Sequence, residues 1–307
     1  MAAEKTDHLE RTAAEPRDKS LHIVTLAEVK EVNDQVRLFR LELSTPLRFL
    51  PGQWLDVYVP GVSKAGGYTI TSAPSSARSS KSDDSSSSPS RPFLELAVQK
   101  SPDPPAAWLW QDPDSITYSE LRVRVGGSFV WPPPGINTRT LRKAVFVAGG
   151  VGINPLMSML SSLAENVGSD GRFEVQFLYS LRAEEDWHGQ ARRLLFVERL
   201  ASIFASGRVK GRLQLFLTGE AGKKDEEGVM SCGRKEGEGG EHDVSFRRRR
   251  MTVEDVAAAA GDTLERKFAV VYVCGIPKMT DDFVQKLADP RDGFGMEPHR
   301  VLCEKWW

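Results

Sequence analysis

A chain of 307 residues with 40% hydrophobic and 27% charged residues has the make-up of a globular protein with room for two domains. A net charge of -1 excludes a general attraction to nucleic acid or anionic membrane surfaces, and no apolar run reaches the roughly 20 residues of a membrane span. Cys232, Cys274 and Cys303 are odd in number and far apart, and His8, His22, His188, His242 and His299 are scattered. Neither a disulfide framework nor a metal centre is expected. The acid-containing first twenty residues match neither a secretory signal nor a transit peptide, so the expected setting is soluble and intracellular.

Met1 to Ser20 reads as a polar, disordered tail. From Leu21 apolar and polar residues alternate. Strands are expected around Ile23 to Glu28, Val36 to Ser44, Trp54 to Val59, Tyr68 to Thr71, Phe93 to Lys100 and Leu121 to Val125. Turn residues separate them, and Asn33-Asp34 is one such turn. Pro104-Pro105 opens a short helix, and the serine-rich stretch 75–90 reads as a surface insertion. Six short strands over 21–134 predict an antiparallel β-barrel.

Pro132-Pro133-Pro134-Gly135 is a stiff connector. Beyond it strands alternate with helices, and 140–307 predicts an α/β domain with a parallel sheet. Val145 to Ala148 is a buried strand, followed by Gly149-Gly150-Val151-Gly152-Ile153-Asn154-Pro155. Three glycines let backbone approach a phosphate, and Asn154 is expected to cap a helix whose open amides face it. The spacing is neither the six-residue dinucleotide fingerprint nor a P-loop, so a plain turn packing a helix on a sheet explains the stretch equally well. Further strands are expected at Phe173 to Tyr179, Leu213 to Thr218, Phe268 to Val273 and His299 to Trp307. Helices are expected at Glu184 to Ala205, Thr252 to Ala260 and from Pro277 through Leu287. The charged run 219–250, ending in four arginines, reads as a solvated loop, since no aromatic residues interleave to suggest a nucleic-acid patch.

Four pieces, in order, carry a resemblance across nearly the whole chain: Pro51-Gly52-Gln53; Tyr68-Thr69 with Ser72; Gly149 to Pro155; and Cys274-Gly275 with Met279. Together they resemble the ferredoxin–NADP reductase superfamily, in which flavin binds the barrel and a nicotinamide nucleotide binds the second domain. Gly67 to Ile70, Pro104-Pro105-Ala106 and the ending Glu304-Lys305-Trp306-Trp307 narrow the likeness to one subgroup.

The resemblance implies an NAD(P)H-dependent flavoprotein oxidoreductase, moving a hydride from nicotinamide C4 to flavin N5 and electrons on to an unidentified acceptor, small molecule or protein. It implies FAD along Tyr68, Thr69, Ile70, Thr71 and Ser72 and beneath Val98 and Lys100. The nicotinamide nucleotide would lie on Gly149, Gly150, Val151, Gly152, Ile153, Asn154 and Pro155, with Gly275 and Met279 beside it. Cys274 would wall the nicotinamide, Trp306 would stack on the flavin, and Glu304 would be a polar or proton-carrying neighbour. Ser180 and Arg182 would meet the adenosine ribose; Glu184, Glu185 and Asp186 repel a 2′-phosphate, which favours NAD(H) over NADP(H). No metal and no iron–sulfur cysteine cluster is implied. Relatives in the subgroup suggest mitochondria; the residues themselves suggest the cytoplasm.

The residues alone leave plainer roles open: Tyr68 as a core tyrosine, Thr69 as a β-former, Lys100 as an exposed strand end, Cys274 as a small buried hydrophobe, and the tryptophans as pins for the last strand. One departure is specific. The family's flavin motif places an arginine two residues before the tyrosine, where it bonds the flavin phosphate; here that position is Gly66. A substitute donor from Lys64, Lys100 or the amides near Pro105 to Trp108, or the loss of flavin altogether in an NAD-binding, non-enzymatic protein, follows as the alternative.

Overall fold

The computed structural model describes residues 7–78, 91–166, 173–183, 190–219, 226–232 and 242–305. They divide into two compact units, one ending at Trp131 and one beginning at Pro132.

The first unit is built on β1 (His22–Asn33), β2 (Val36–Leu43), β3 (Trp54–Tyr58), β4 (Gly66–Thr69), β5 (Phe93–Gln99) and β6 (Glu120–Gly126). They form one six-stranded sheet in the order β4-β3-β6-β1-β2-β5, with every ladder antiparallel. The Asn33 side chain accepts from the amides of Gln35 and Val36 at 2.9 and 3.0 Å and so makes the β1–β2 turn. Alternation sends Leu26, Phe39, Leu41, Leu55, Val57, Leu94, Leu96 and Val123 into one core. A bridge at Ile70–Leu96 and the bond from Thr71 N to Glu95 O, 2.8 Å, link the two edges of the sheet. The expected barrel therefore stands as an antiparallel sheet whose edges touch at this point.

The first unit also holds α1 (His8–Arg11), α2 (Pro104–Leu109) and α3 (Pro113–Ile116). The expectation of a disordered tail fails for residues 7–20. Asp7 caps α1, Arg17 bridges to Gly126, and Gly127 N donates to Pro16 O at 3.0 Å. Polar composition misled because these residues are held by backbone bonds to β6 and by the buried Asp56 carboxylate, which His8 and Arg17 meet, rather than by apolar burial.

The second unit contains β7 (Lys143–Gly149), β8 (Glu174–Arg182), β9 (Gly211–Thr218), β10 (Glu227–Cys232), β11 (His242–Arg247), β12 (Ala269–Cys274) and β13 (Val301–Cys303). Its helices are α4 (Ile153–Glu165), α5 (Val197–Ala205), α6 (Val253–Ala260) and α7 (Pro277–Ala288). The seven-stranded sheet runs β10-β11-β9-β8-β7-β12-β13. It is mixed rather than wholly parallel, because β10 pairs antiparallel to β11. All residues of β12 are buried, as a central parallel strand covered on both faces should be. Phe146 packs edge-on against Phe177 and Tyr272, with ring centroids 5.8 and 5.6 Å apart.

Several boundaries differ from expectation. Part of the 219–250 loop is β10 and β11, where Met230, Cys232, Val244 and Phe246 alternate inward; the surrounding Gly, Lys and Glu hid that period. Burial, with Glu198 and Asp243 nearby, pushes the Cys232 thiol up to about 11. The helix expected over 184–205 is α5 alone, preceded by a single turn at Ala191–Arg193, and 184–189 lie outside the described residues. The final strand is only Val301–Cys303, since Pro298–Arg300 form a turn. Thr252 caps α6 in a reciprocal box with Asp255, whose carboxylate Arg249 grips at 2.6 and 2.7 Å. Thr252→Ala is therefore expected to cost about 1 kcal/mol of stability, read as a lower urea midpoint with an unchanged slope.

Candidate functional site

In the second unit, β7 is the strand at which the order of the sheet reverses: β8 and β9 lie on one side of it, β12 and β13 on the other. Open α/β sheets bind ligands at such a point, beyond the carboxyl ends of the strands. Register brings Ala148 opposite Cys274 and Gly149 opposite Ser180 at those ends. The turn after β7 is pressed onto the turn after β12. A Cβ on Gly152 would lie 2.4 Å from Cys274 O and 2.7 Å from Gly275 Cα. On Gly149 it would meet Met279 Cε at 3.0 Å and Gly275 Cα at 3.3 Å. Gly150 has φ +55°, and the space where its Cβ would stand is open.

The cap of α4 is Gly152, not Asn154 as expected; Asn154 is the second residue of the helix and is buried. A glycine cap offers no side chain to the first amides of α4. The Ile153 amide already bonds Gly150 O and Val151 O, and Pro155 has no N–H, so what is left to fit a diphosphate is the glycine turn itself with the open space at Gly150; Val151 is half-buried, and Ile153 and Pro155 anchor the helix start in the core.

Cys274 is buried at the end of β12. Glu304 follows β13, where its amide donates to Val273 O at 3.4 Å, and the residue is 9% exposed. Lys305 Nζ bonds Asp281 of α7 at 2.5 Å and pins this last segment. The fold thus brings Cys274, Gly275, Met279, Glu304 and the glycine turn to one end of one sheet. Ser180 is half-buried at the same end, while Arg182 is exposed along Gly219. Trp306, with Glu184, Glu185 and Asp186, lies outside the described residues.

In the first unit, Tyr68 of β4 packs against the core, and its hydroxyl is buried without a hydrogen-bond partner among the described residues. Burial, reinforced by the Asp103 carboxylate, raises its pKa well above the ordinary tyrosine value. Its ring folds back over Gly66, so that a Cβ there would lie 2.5 Å from Tyr68 Cε2. Thr69, Ile70, Thr71, Ser72 and Val98 are all buried. Thr71 Oγ1 donates to Glu95 Oε1 at 2.8 Å, and Ser72 Oγ accepts from Glu95 N at 3.1 Å, so both hydroxyls join β5 to the strand end after β4. Lys100 is exposed, with Nζ 5.3 Å from the Trp110 ring centroid, and Arg37 covers the same ring at 4.5 Å.

A flavin fits this unit at one end only. Tyr68 supplies a ring and an unsatisfied donor. For a phosphate, Gly66 has no side chain, and α2 opens on Pro104-Pro105, which lack N–H groups. The Asp103 amide is already taken by Ser101 Oγ at 3.2 Å, which leaves Ala106 alone among the first-turn amides.

One cluster has no local signature in the sequence. Asp56 of β3 is fully buried on the face opposite Leu55 and Val57. His8 Nε2 meets its Oδ1 at 2.9 Å; Arg17 Nε and an Arg124 guanidinium nitrogen meet Oδ2 at 3.1 and 2.6 Å. The His8 imidazole stands edge-on to Trp54 and occupies the space a Cβ on Gly67 would need. A charged residue within the apolar run Trp54 to Val59 is the only hint of it. Among the described residues no cluster suited to a metal exists, and no helix is long and apolar enough to cross a membrane.

No protein-family profile matches the chain. Among solved structures, it is similar to an Amycolatopsis cytochrome P450 reductase, with TM-score 0.62 and 21% identity over 95% of this chain and 71% of that one. A Neisseria gonorrhoeae ferredoxin NADP+ reductase with bound FAD and NADP gives TM-score 0.60 and 15% identity over 94% of this chain and 100% of that one. These likenesses show a ferredoxin reductase-like fold. Among curated proteins, the oxidoreductase NAD-binding domain-containing protein 1 of Danio rerio is 28% identical, covering 99% of this chain and 98% of that protein. Its Bos taurus counterpart is 30% identical over 314 residues, covering 99% of this chain and 86% of that protein. This is the subgroup indicated by Gly67 to Ile70, Pro104 to Ala106 and the chain's ending, and the chain belongs to the family of the oxidoreductase NAD-binding domain-containing protein 1.

Proposed function

We propose that this protein is a flavin-dependent NAD(P)H oxidoreductase, with the nicotinamide nucleotide held by the second unit and flavin by the first. The observation that carries the reading is the glycine turn pressed onto Cys274-Gly275 at the strand-order reversal, a cradle shaped for a diphosphate. When bound, NAD(P)H supplies a hydride and flavin accepts it; positioning is the protein's share. The backbone of Gly149 to Gly152 binds the diphosphate. Cys274 and Gly275 give the nicotinamide a wall, and Met279 backs that wall. Glu304 holds a carboxyl beside it, and Tyr68 offers a stacking face. Trp306 is assigned the opposing flavin face, and an acceptor outside the chain takes the electrons. NAD(H) is favoured over NADP(H) because Glu184, Glu185 and Asp186 follow Arg182 closely in the sequence, and the relatives' name points the same way.

A second reading, an NAD-binding protein without flavin turnover, is favoured by Gly66. One experiment separates the two. The purified protein is mixed with FAD or FMN, which is left in the solution, and then with NADH without oxygen. Bleaching of the visible flavin band faster than in the same mixture without protein is expected. Bleaching no faster than without protein would end the flavin reading, and NADH binding with no such bleaching would establish the second.

A further inference from the structure

We propose that the first unit takes its flavin as a dissociable substrate, recognised through its ring and ribityl chain and not through its phosphates, so that riboflavin, FMN and FAD bind alike. The inference rests on the flavin reading above and deepens it by naming the substrate class.

Three features of this chain point the same way. The first is the pairing of Gly66 with Tyr68. The tyrosine ring lies across Gly66, with Cε2, Cζ and Oη 2.5, 2.7 and 2.7 Å from where a Cβ would stand. The position therefore has no room for a phosphate-binding side chain while the ring keeps this place. The second is the start of α2, where two prolines remove N–H donors, Ser101 takes the Asp103 amide, and Ala107 N donates to Asp103 O at 2.8 Å. The third is Asp103, whose carboxylate acts on the Tyr68 hydroxyl and would repel a phosphate brought near it.

The two lysines nearby do not compensate. Lys64, in the turn before β4, is exposed, as is Lys100, whose ammonium sits by the Trp110 ring. An exposed ion pair contributes about fivefold at most, against about tenfold to a hundredfold for a charge-assisted hydrogen bond in a sheltered site. What β4 does offer is neutral: an aromatic face and a buried hydroxyl lacking a partner among the described residues. A ring carbonyl or a ribityl hydroxyl, common to all three flavins, satisfies that donor.

The reaction balances with the reductant already proposed. NAD(P)H gives one hydride to the flavin N5, a proton from water completes the dihydroflavin, and oxidised nicotinamide nucleotide and dihydroflavin both leave.

The test is a titration of flavin-free, full-length protein with riboflavin, FMN and FAD, each followed by quenching of flavin fluorescence at low and at moderate salt. The three dissociation constants are expected within about threefold of one another and insensitive to salt. Tyr68→Phe should weaken all three equally, by about threefold to tenfold. Lys64→Ala should leave their ratios unchanged. FMN or FAD binding tenfold or more tightly than riboflavin, or a loss confined to the phosphorylated flavins in Lys64→Ala, overturns the proposal while leaving the flavin reading intact. Failure of all three to bind ends both.

Discussion

Gly152→Ala is expected to weaken NADH binding by about a hundredfold or more while leaving flavin binding by the first unit unchanged. The added methyl would stand 2.4 Å from Cys274 O, 2.6 Å from Cys274 C and 2.7 Å from Gly275 Cα. These are backbone atoms at the end of a fully buried strand, so they cannot swing aside as a side chain would. The turn must lift instead. Each hydrogen bond to the charged diphosphate that is lost when the turn lifts costs about tenfold to a hundredfold in affinity. Gly150→Ala is the contrast. Space around its Cβ is open, and only φ +55° opposes the change, at about 1–2 kcal/mol. NADH titrations of the two variants decide the matter: equal losses would mean that the approach of the glycine turn to Cys274-Gly275 does not set the affinity.

Asp56→Asn is expected to destabilise the first unit by about 3 kcal/mol, since it leaves Arg17 and Arg124 gathered around a neutral amide. Both guanidinium groups are sheltered, 14% and 26% exposed, whereas the carboxylate itself is fully buried. Burial pushes the Asp56 pKa up, but hydrogen bonds from His8 and Arg124 and the charges of Arg17 and His8 outweigh it and hold the pKa below its ordinary 3.8. The sign follows. A carboxylate depressed in the folded state contributes stability that is present above the unfolded pKa and lost as pH falls through the folded one. Urea midpoints should therefore fall more steeply in the wild type than in Asp56→Asn on acidification below about pH 4. Parallel pH profiles would refute the assignment. A double-mutant cycle of Arg17→Ala with Asp56→Asn should return a coupling of about 1–3 kcal/mol.

The fold was legible wherever its cause was local. Period-two alternation marked β2, β5 and β6, the short apolar run marked β7, and Thr252 marked the start of α6, because each element forms from neighbours along the chain. Legibility failed where composition masked a period, as at Val244 and Phe246 among charged residues, and where a cap was placed two residues too late, at Asn154 in place of Gly152. The candidate nucleotide site was largely readable, since Gly149 to Gly152 and Cys274-Gly275 each lie at the end of a buried strand. Their contact was not.

The sequence by itself determined most of the strands, though not β10 and β11, along with the glycine turn and the family. These rest on alternation, on residue types with special backbone behaviour, and on motifs held in order. Only the tertiary structure decided that His8 and Arg17 close on Asp56 across 48 and 39 residues, that the Tyr68 ring fills the space above Gly66, and that Gly152 lies against Cys274. The physical reason is common to all three. A side chain's partner, or the room it has, is set by what the fold brings alongside, and nothing in local propensity encodes that distance.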